Sequence, residues 1–200
     1  MNSSTQTNRE IPSLYNLAKQ TIPLPENEES AKTLFIQACR VDDRELLSKA
    51  MSFFLPHQVE VRIEKGVTFD VSSLDEEAVH ALQTVDRVYS GYFRIQSVTI
   101  HKVSNQKAFS KLLQSLDSLE MLKLDPAYAL GVSEIKTIAK EAKKGNLEKL
   151  KLLNLEYNIA NSNVSTYLEH VAQLLPDLQI LKSERAPIQR NYLPRYYVGW

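Results

Sequence analysis

The chain has 200 residues, a formal net charge of zero and a single cysteine. A chain of this length buries about 70% of its unfolded surface on folding, so it can build a core without disulfides or metals. The balanced charge removes the electrostatic basis for bulk binding to nucleic acid or to an anionic membrane. One cysteine excludes a disulfide framework and a cysteine-based metal site. A polar start and the lack of a long apolar span predict a soluble, cytoplasmic protein.

The first part of the chain is predicted to be a helical module. Residues 1–10 are polar and are predicted to be disordered, whereas residues 11–57 hold three amphipathic helices. The first helix ends at Pro23 and Pro25, and a polar linker at 26–30 follows it. The second and third helices carry apolar faces around residues 34–39 and 46–54. The apolar face of the first helix consists of Leu14, Leu17, Ala18 and Ile22.

Residues 59–72 leave two interpretations open. Val61 and Ile63 have the spacing of an irregular first repeat strand, whereas apolar alternation that continues to residue 71 predicts a hairpin-like cap. A helix follows in both cases. We expect it to begin with a capping box formed by Ser73 and Glu76.

One nine-residue phrase recurs along the second half of the chain. Residues 150–158 match the pattern LxxLxLxxN at every position, and the same apolar spacing returns at intervals of roughly 24 to 31 residues. A recurring interval of that size is typical of a repeat array. The other phrases are Ile95, Val98 and Ile100; Leu119, Leu122 and Leu124; and, in decayed form, Leu178, Leu181 and Ser183.

The phrase predicts a short strand followed by a helix. The two apolar residues of LxL point to one side of a strand, and a single repeat cannot bury that side alone. Stacked repeats would therefore form a parallel sheet covered by helices. Amphipathic segments do follow the phrases, at 108–116, 135–142 and 164–175. Gly145 and Pro176 are expected to mark the ends of the last two helices.

The phrase and its length resemble leucine-rich-repeat proteins of the ribonuclease-inhibitor type. The resemblance covers residues 58–186 and implies a short α/β solenoid, with parallel strands on the concave side, helices on the convex side and an N-terminal helical cap. The chain departs from that family at the Asn position of the phrase, which only Asn158 fills. Residues 187–200 are rich in aromatic side chains, and we expect them to cap the last strand or to form a binding tail.

In the first helix, Ser13-Leu14 is followed after three residues by Ala18 and after three more by Ile22. This spacing resembles the BC-box by which substrate receptors of cullin-RING ubiquitin ligases bind Elongin C. Three segments, at 13–22, 33–39 and 46–56, also look similar to the N-terminal helices of the PRAME family, whose members are leucine-rich-repeat receptors of this kind. Ile11-Pro12 followed by Leu14 and Leu17 is similar to the opening of an F-box as well, for which the partner would be Skp1. The residues implied to bind Elongin C or Skp1 are Ser13, Leu14, Leu17, Ala18 and Ile22. In the alternative, the same helix only packs on the first repeat as a cap.

The outward strand positions are the predicted binding surface. Stacked strands place them side by side on the concave face, where repeat proteins usually bind. Their mixed charge favours a protein partner over nucleic acid. These positions include Gln96, Thr99, His101, Lys123, Asp125, Asn154 and Glu156.

Most other charged groups are predicted to be solvated. Lysines between Lys136 and Lys151 alternate with glutamates such as Glu141, which indicates a salt-bridged outer helix face. An outward His101 is expected to be solvated. The loop carboxylates expected to behave likewise are Asp117, Glu120 and Asp125.

No motif in the chain predicts catalysis, a cofactor or a metal. The five glycines stand apart, so no phosphate-binding loop is formed, and the four histidines lie in separate predicted elements. The sequence therefore predicts a non-enzymatic protein-protein interaction scaffold. It would be either a ligase adaptor or a plain leucine-rich-repeat binding protein, such as an inhibitor or a bacterial effector delivered into a host cell.

Overall fold

The structure is a computed structural model that describes residues 22–63, 66–125, 131–155 and 162–182. Six helices and six strands lie within these ranges. The helices are α1 (Glu28–Val41), α2 (Arg44–Ser52), α3 (Glu76–Val88), α4 (Gln106–Ser115), α5 (Val132–Lys143) and α6 (Ser162–Leu174). The strands are β1 (Val59–Ile63), β2 (Val67–Val71), β3 (Ser97–Ile100), β4 (Met121–Leu124), β5 (Leu152–Leu155) and β6 (Gln179–Lys182).

The strands form one sheet in sequence order, with β1 and β6 at its two ends. β1 pairs antiparallel with β2, so that Val59 lies opposite Val71. All later neighbours are parallel. The predicted α/β class is confirmed in this form, as a mixed and mostly parallel sheet that does not close on itself. The antiparallel β1–β2 pair confirms the hairpin-like cap, which was one of the two interpretations of residues 59–72.

One side of the sheet is covered by helices. In β3, β4 and β5 the side chains alternate between buried and partly exposed, as expected for strands with one covered face. The buried side chains of strands and helices belong to one hydrophobic core. The nine apolar positions of the first three phrases are each at most 2% exposed, which confirms their core placement. They are Ile95, Val98, Ile100, Leu119, Leu122, Leu124, Leu150, Leu153 and Leu155.

Two helix starts differ from their prediction. α1 begins inside the predicted linker, because Asn27 and Ser30 form a reciprocal capping box at its first turn. α3 takes Asp75 as its N-cap, and the Asp75 carboxylate accepts the Ala78 N–H at 2.9 Å. The predicted capping box at the start of α3 is therefore wrong. A carboxylate directly before the first turn satisfies the free N–H groups without it.

The last strand is shifted by one residue from the predicted phrase. Ile180, and not Leu181, lies opposite Leu153 in the sheet. Leu181 is 42% exposed, whereas Ile180 packs against the core. Because strand side chains alternate between faces, a shift of one residue moves Leu181 from the core side to the open side.

The helix face predicted to be salt-bridged does carry the Lys144–Glu141 pair, but the Glu141 carboxylate is buried and does not lie on an outer surface. The carboxylate accepts hydrogen bonds from Ser110 at 3.1 Å and Gln114 at 3.2 Å on α4, and from Lys144 at 3.0 Å and Asn146 at 2.7 Å beyond α5. Burial acts to raise the pKa of Glu141, but these four hydrogen bonds together lower it below its ordinary value of 4.5. The carboxylate thus ties α4, α5 and the following turn together.

Gly145 ends that helix, as predicted. Its φ of +83° lies in the left-handed region that favours glycine. This conformation lets the Gly145 N–H donate to the Ala142 carbonyl at 3.0 Å and the Asn146 N–H donate to the Glu141 carbonyl at 3.1 Å. Two of the last carbonyls of α5 are satisfied in this way.

Candidate protein-binding face

The side of the sheet opposite the helices carries two rows of side chains in register, which we call the open face. Alternation along each strand points these side chains away from the core. One row consists of Arg62, Thr68, Ser97, Met121, Leu152 and Gln179. The other row consists of Glu60, Asp70, Thr99, Lys123, Asn154 and Leu181.

Three of the predicted binding residues are direct neighbours on this face. Thr99 lies opposite Lys123, and Lys123 lies opposite Asn154. Adjacent strands are about 4.8 Å apart, so the three side chains form a continuous polar line across β3, β4 and β5. All three are partly exposed. Of the other predicted positions, Glu156 lies outside the described residues.

Gln96 lies apart from this line, at the amino-terminal edge of the strands. Its side-chain amide donates to the Glu120 carboxylate at 3.5 Å, and the Lys151 ammonium donates to the same carboxylate at 2.9 Å. These two contacts link the residues that directly precede β3, β4 and β5. Glu120 remains partly exposed, as predicted, and is in addition paired with Lys151.

His101 bridges two carboxylates at the opposite edge, where β3 ends. Its Nε2 lies 2.7 Å from an Asp70 carboxylate oxygen, and its Nδ1 contacts the carboxylate of Asp125. Arg62 reaches the second oxygen of Asp70 at 2.5 Å. His101 therefore links Asp70 of β2 to Asp125, the residue that follows β4. His101 is 40% exposed, as expected for an outward position, but the sequence did not predict that it pairs with Asp70 and Asp125.

Sequence reasoning missed Asp70 and Arg62 as members of this network. Asp70 is only 7% exposed although it lies on the open face. The available signal was a carboxylate between apolar residues in a strand, where alternation assigns it to the opposite face from Phe69 and Val71. Arg62 reaches it only through the antiparallel register of β1 and β2.

The loop carboxylates do not combine into an acid-base pair. Asp117 pairs with Arg94, which also contacts the largely buried Asp86 at 3.1 Å. Asp86 in turn accepts the Ile95 N–H at 2.8 Å, where the chain enters β3. Asp117, Glu120 and Asp125 therefore contact three different side chains, which are those of Arg94, Lys151 and His101.

The open face also carries an apolar patch, formed by Met121, Leu152 and Leu181. Met121 is 40% exposed and Leu181 is 42% exposed. Met121 lies opposite Leu152, and Leu152 lies opposite Gln179, two residues before Leu181. The open face thus combines a polar line, paired charges and an apolar patch.

The remaining histidines lie away from the open face network. His57 precedes β1, His80 is on α3 and His170 is on α6, and all three are exposed. Within the described ranges, no group of three or more His, Cys, Asp or Glu side chains is placed to hold a metal ion. In the same ranges, every helix is too short or too polar to cross a membrane.

Of the residues of the predicted Elongin C or Skp1 box, the structure describes only Ile22. Ser13, Leu14, Leu17 and Ala18 lie outside the described residues.

Ile22 contacts other residues of the same chain. It packs against the hydrophobic core, and its carbonyl accepts a hydrogen bond from the Lys49 ammonium at 2.8 Å. Together with Leu24 and Leu34 it lines a groove of about 500 Å³ beside α1.

Comparisons of the chain with protein-family models, with curated proteins and with solved structures found no match.

Proposed function

We propose that the chain is a non-enzymatic scaffold of the leucine-rich-repeat type that binds a protein partner on its open face. The observation that carries this proposal is the line of Thr99, Lys123 and Asn154 on the uncovered side of the sheet. These side chains stand on strands whose opposite side is packed in the core. A partner therefore meets groups whose spacing is already set, which lowers the entropy cost of binding.

The order of the elements supports the repeat part of the proposal. β3, β4 and β5 are each followed by a helix, and neighbouring helices contact each other from α3 to α6. Units that contact only their sequence neighbours are the basis of a solenoid. We infer that these units stack into a short array in which the open face is the concave side.

The chemistry of the open face defines the kind of partner. Arg62 has a side chain that is 61% exposed, and it stands beside carboxylates that are already paired. Met121 and Leu181 offer apolar contact at the other end of the face. A folded protein or a peptide with both polar and apolar side chains matches this mixture, whereas nucleic acid requires a predominantly basic surface.

The test uses two charge reversals that differ only in their side of the sheet. Lys123→Glu changes the open face, and Lys111→Glu changes an exposed lysine of α4 on the helical side. Proteins bound by the immobilised wild type are identified by mass spectrometry and compared with those bound by each variant. We expect one set of proteins to be lost with Lys123→Glu and kept with Lys111→Glu. Recovery of the same proteins with both variants would contradict a binding site on the open face.

A second and sharper candidate is a substrate receptor of a cullin-RING ubiquitin ligase. The observation that favours it is the match of residues 13–22 to the BC-box pattern. The packing of Ile22 against the core favours the alternative, in which the first helix only caps the repeats. In the receptor, Leu14 would anchor the helix in an apolar pocket of Elongin C.

Calorimetry with purified Elongin B–C, and with Skp1 in parallel, tests the receptor. Leu14→Ser removes the anchor, and Leu17→Ser is the matched control because Leu17 belongs to the F-box similarity but not to the BC-box pattern. Binding to Elongin C that is abolished by Leu14→Ser and retained by Leu17→Ser would support the BC-box. An absence of binding to both proteins would remove the ligase link and leave a plain binding protein, such as an inhibitor or an effector.

A further inference from the structure

The apolar patch lies next to the point where the chain leaves the sheet. Leu181 belongs to β6, the last strand, and β6 ends at Lys182. Met121 is two strands away in β4. Three neighbouring apolar side chains on an otherwise polar face gain free energy when another apolar group covers them.

The sequence after β6 is of the type that could cover such a patch. Residues 183–200 contain a dense aromatic group near their end and three arginines. Aromatic side chains provide a large contact area with few rotatable bonds. The aromatic residues are Tyr192, Tyr196, Tyr197 and Trp200, and the arginines are Arg185, Arg190 and Arg195.

The length of this segment is sufficient for it to reach the patch. From Lys182 to Tyr192 there are ten residues, which span at most about 33 to 36 Å when extended. β4 lies two strand spacings from β6, which is about 10 Å. The aromatic residues can therefore lie over β4, β5 and β6 without strain in the connection.

We propose that residues 192–200 of this chain occupy the apolar patch, with their aromatic side chains on Met121, Leu152 and Leu181. The length of the segment and the end of β6 beside the patch support the placement, because both bring the aromatic residues within reach of β4. This goes beyond capping of the β6 edge, since it places the segment on the open face itself. If the proposed function holds, a partner on that face must displace the segment, which then acts as an intramolecular competitor.

Trp200 is the only tryptophan, so its fluorescence reports on this segment in the full chain. The emission maximum and the acrylamide quenching constant are measured for the wild type, Met121→Lys and Val41→Lys. Both substitutions put a lysine at an exposed apolar position, since Met121 is 40% exposed and Val41 is 56% exposed, but only Met121 lies in the patch. Tyr197→Ser changes the segment instead of the sheet, and circular dichroism checks that each variant is folded.

The expected result is a protected Trp200 in the wild type and in Val41→Lys. Met121→Lys and Tyr197→Ser should each lower the ratio of docked to free segment about tenfold, as expected for loss of one binding anchor. Their emission should move towards that of tryptophan in water. The wild-type protection should not change on dilution, because the contact lies within one chain.

Three results would overturn the proposal. Trp200 could be as accessible to acrylamide in the wild type as free tryptophan is. It could be protected but unaffected by Met121→Lys, which would place the segment at the β6 edge or elsewhere. Its protection could also be lost on dilution, which would make a second copy the occupant. None of these measurements needs a partner, so their failure is separate from failure of the proposed binding function.

Discussion

In β4, Leu122 and Leu124 are at most 1% exposed, whereas Met121 and Lys123 on the same strand remain accessible. The two sides of one strand thus have opposite roles. The covered side joins helices and strands into a core, and the side chains of the open side do not belong to that core. A surface that can change without unfolding the protein is well suited to binding.

The same contrast holds for charged groups. Glu141 is fully buried and is surrounded by hydrogen-bond donors from α4 and from the turn that follows α5. His101, between Asp70 and Asp125, has a side chain that is 40% exposed. A buried carboxylate network stabilises the fold only while every member is satisfied. An exposed network contributes less to stability and remains available to a partner.

The largest expected effect is on the covered side. Leu122→Ala should lower the free energy of unfolding by about 2–5 kcal/mol, because it removes buried methyl groups and leaves a cavity. Lys123→Ala, one residue along the same strand, should change it by less than about 0.5 kcal/mol. Urea unfolding of both variants measures the difference. Similar costs for the two substitutions would contradict the assignment of the two faces.

A smaller effect is expected at the buried carboxylate. Glu141→Gln should cost about 1–3 kcal/mol at neutral pH, because donors that now meet a charged acceptor would meet a neutral amide. Chemical unfolding at pH 7 provides the measurement. A neutral or stabilising substitution would show that the hydrogen bonds to Glu141 do not offset its burial.

The pH dependence of stability sharpens this test. Because the pKa of Glu141 is lowered in the folded protein, the unfolded chain binds more protons just below the ordinary value of 4.5. The contribution of Glu141 is therefore fully present above about pH 4.5 and is lost as the pH falls through the lower folded-state pKa. The difference in unfolding free energy between wild type and Glu141→Gln should shrink over that range. A constant difference would contradict the lowered pKa.

Substitution of Tyr89 by Phe should lower the free energy of unfolding by about 1 kcal/mol. Its hydroxyl donates to the Ala50 carbonyl of α2 at 2.9 Å, and its ring stacks on Phe35 of α1 at 4.2 Å. Burial raises the pKa of Tyr89, so the phenol remains a neutral donor. Tyr89→Phe keeps the stacking and removes the hydrogen bond. Thermal unfolding should show the loss, whereas Tyr92→Phe, at a 68% exposed side chain, should leave the midpoint unchanged.

The smallest effect on stability is expected for His101→Ala. Partly exposed ion pairs contribute about 0–1 kcal/mol, and Asp70 retains its contact with Arg62 in the variant. Urea unfolding should therefore place His101→Ala close to wild type. A decrease of more than about 2 kcal/mol in the free energy of unfolding would show that the His101 network is needed for the stability of the sheet.

The strands were predictable because the phrase combines two signals. The spacing of LxxLxL gives the alternation of a strand, and its recurrence gives the number of units. That is why all nine core positions are confirmed and why Thr99, Lys123 and Asn154 were expected to be neighbours. Their role in binding stays a prediction.

The wrong predictions concern the register of β6 and the N-cap of α3, where two nearby residues fit the same pattern. Leu178 and Leu181 fit the phrase, but Ile180 offers an equally apolar residue in the alternate register, and the pairing with β5 selects Ile180. Ser73 and Asp75 both have side chains that cap helices, and the sequence alone does not rank them.

The networks were missed because their partners are distant in the chain. Ser110 lies 31 residues before Glu141, and Asp70 lies 31 residues before His101. Local spacing contains no information on such contacts, which depend on how neighbouring units pack.

The most direct test of the open face is the affinity of a partner recovered by the wild type for Lys123→Glu and for Lys111→Glu, measured by calorimetry with purified proteins. The open face predicts that Lys123→Glu weakens binding by about tenfold or more, equivalent to about 1.4 kcal/mol, while Lys111→Glu binds as tightly as wild type. Unchanged binding by Lys123→Glu together with weakened binding by Lys111→Glu would contradict it and place the site on the helical side.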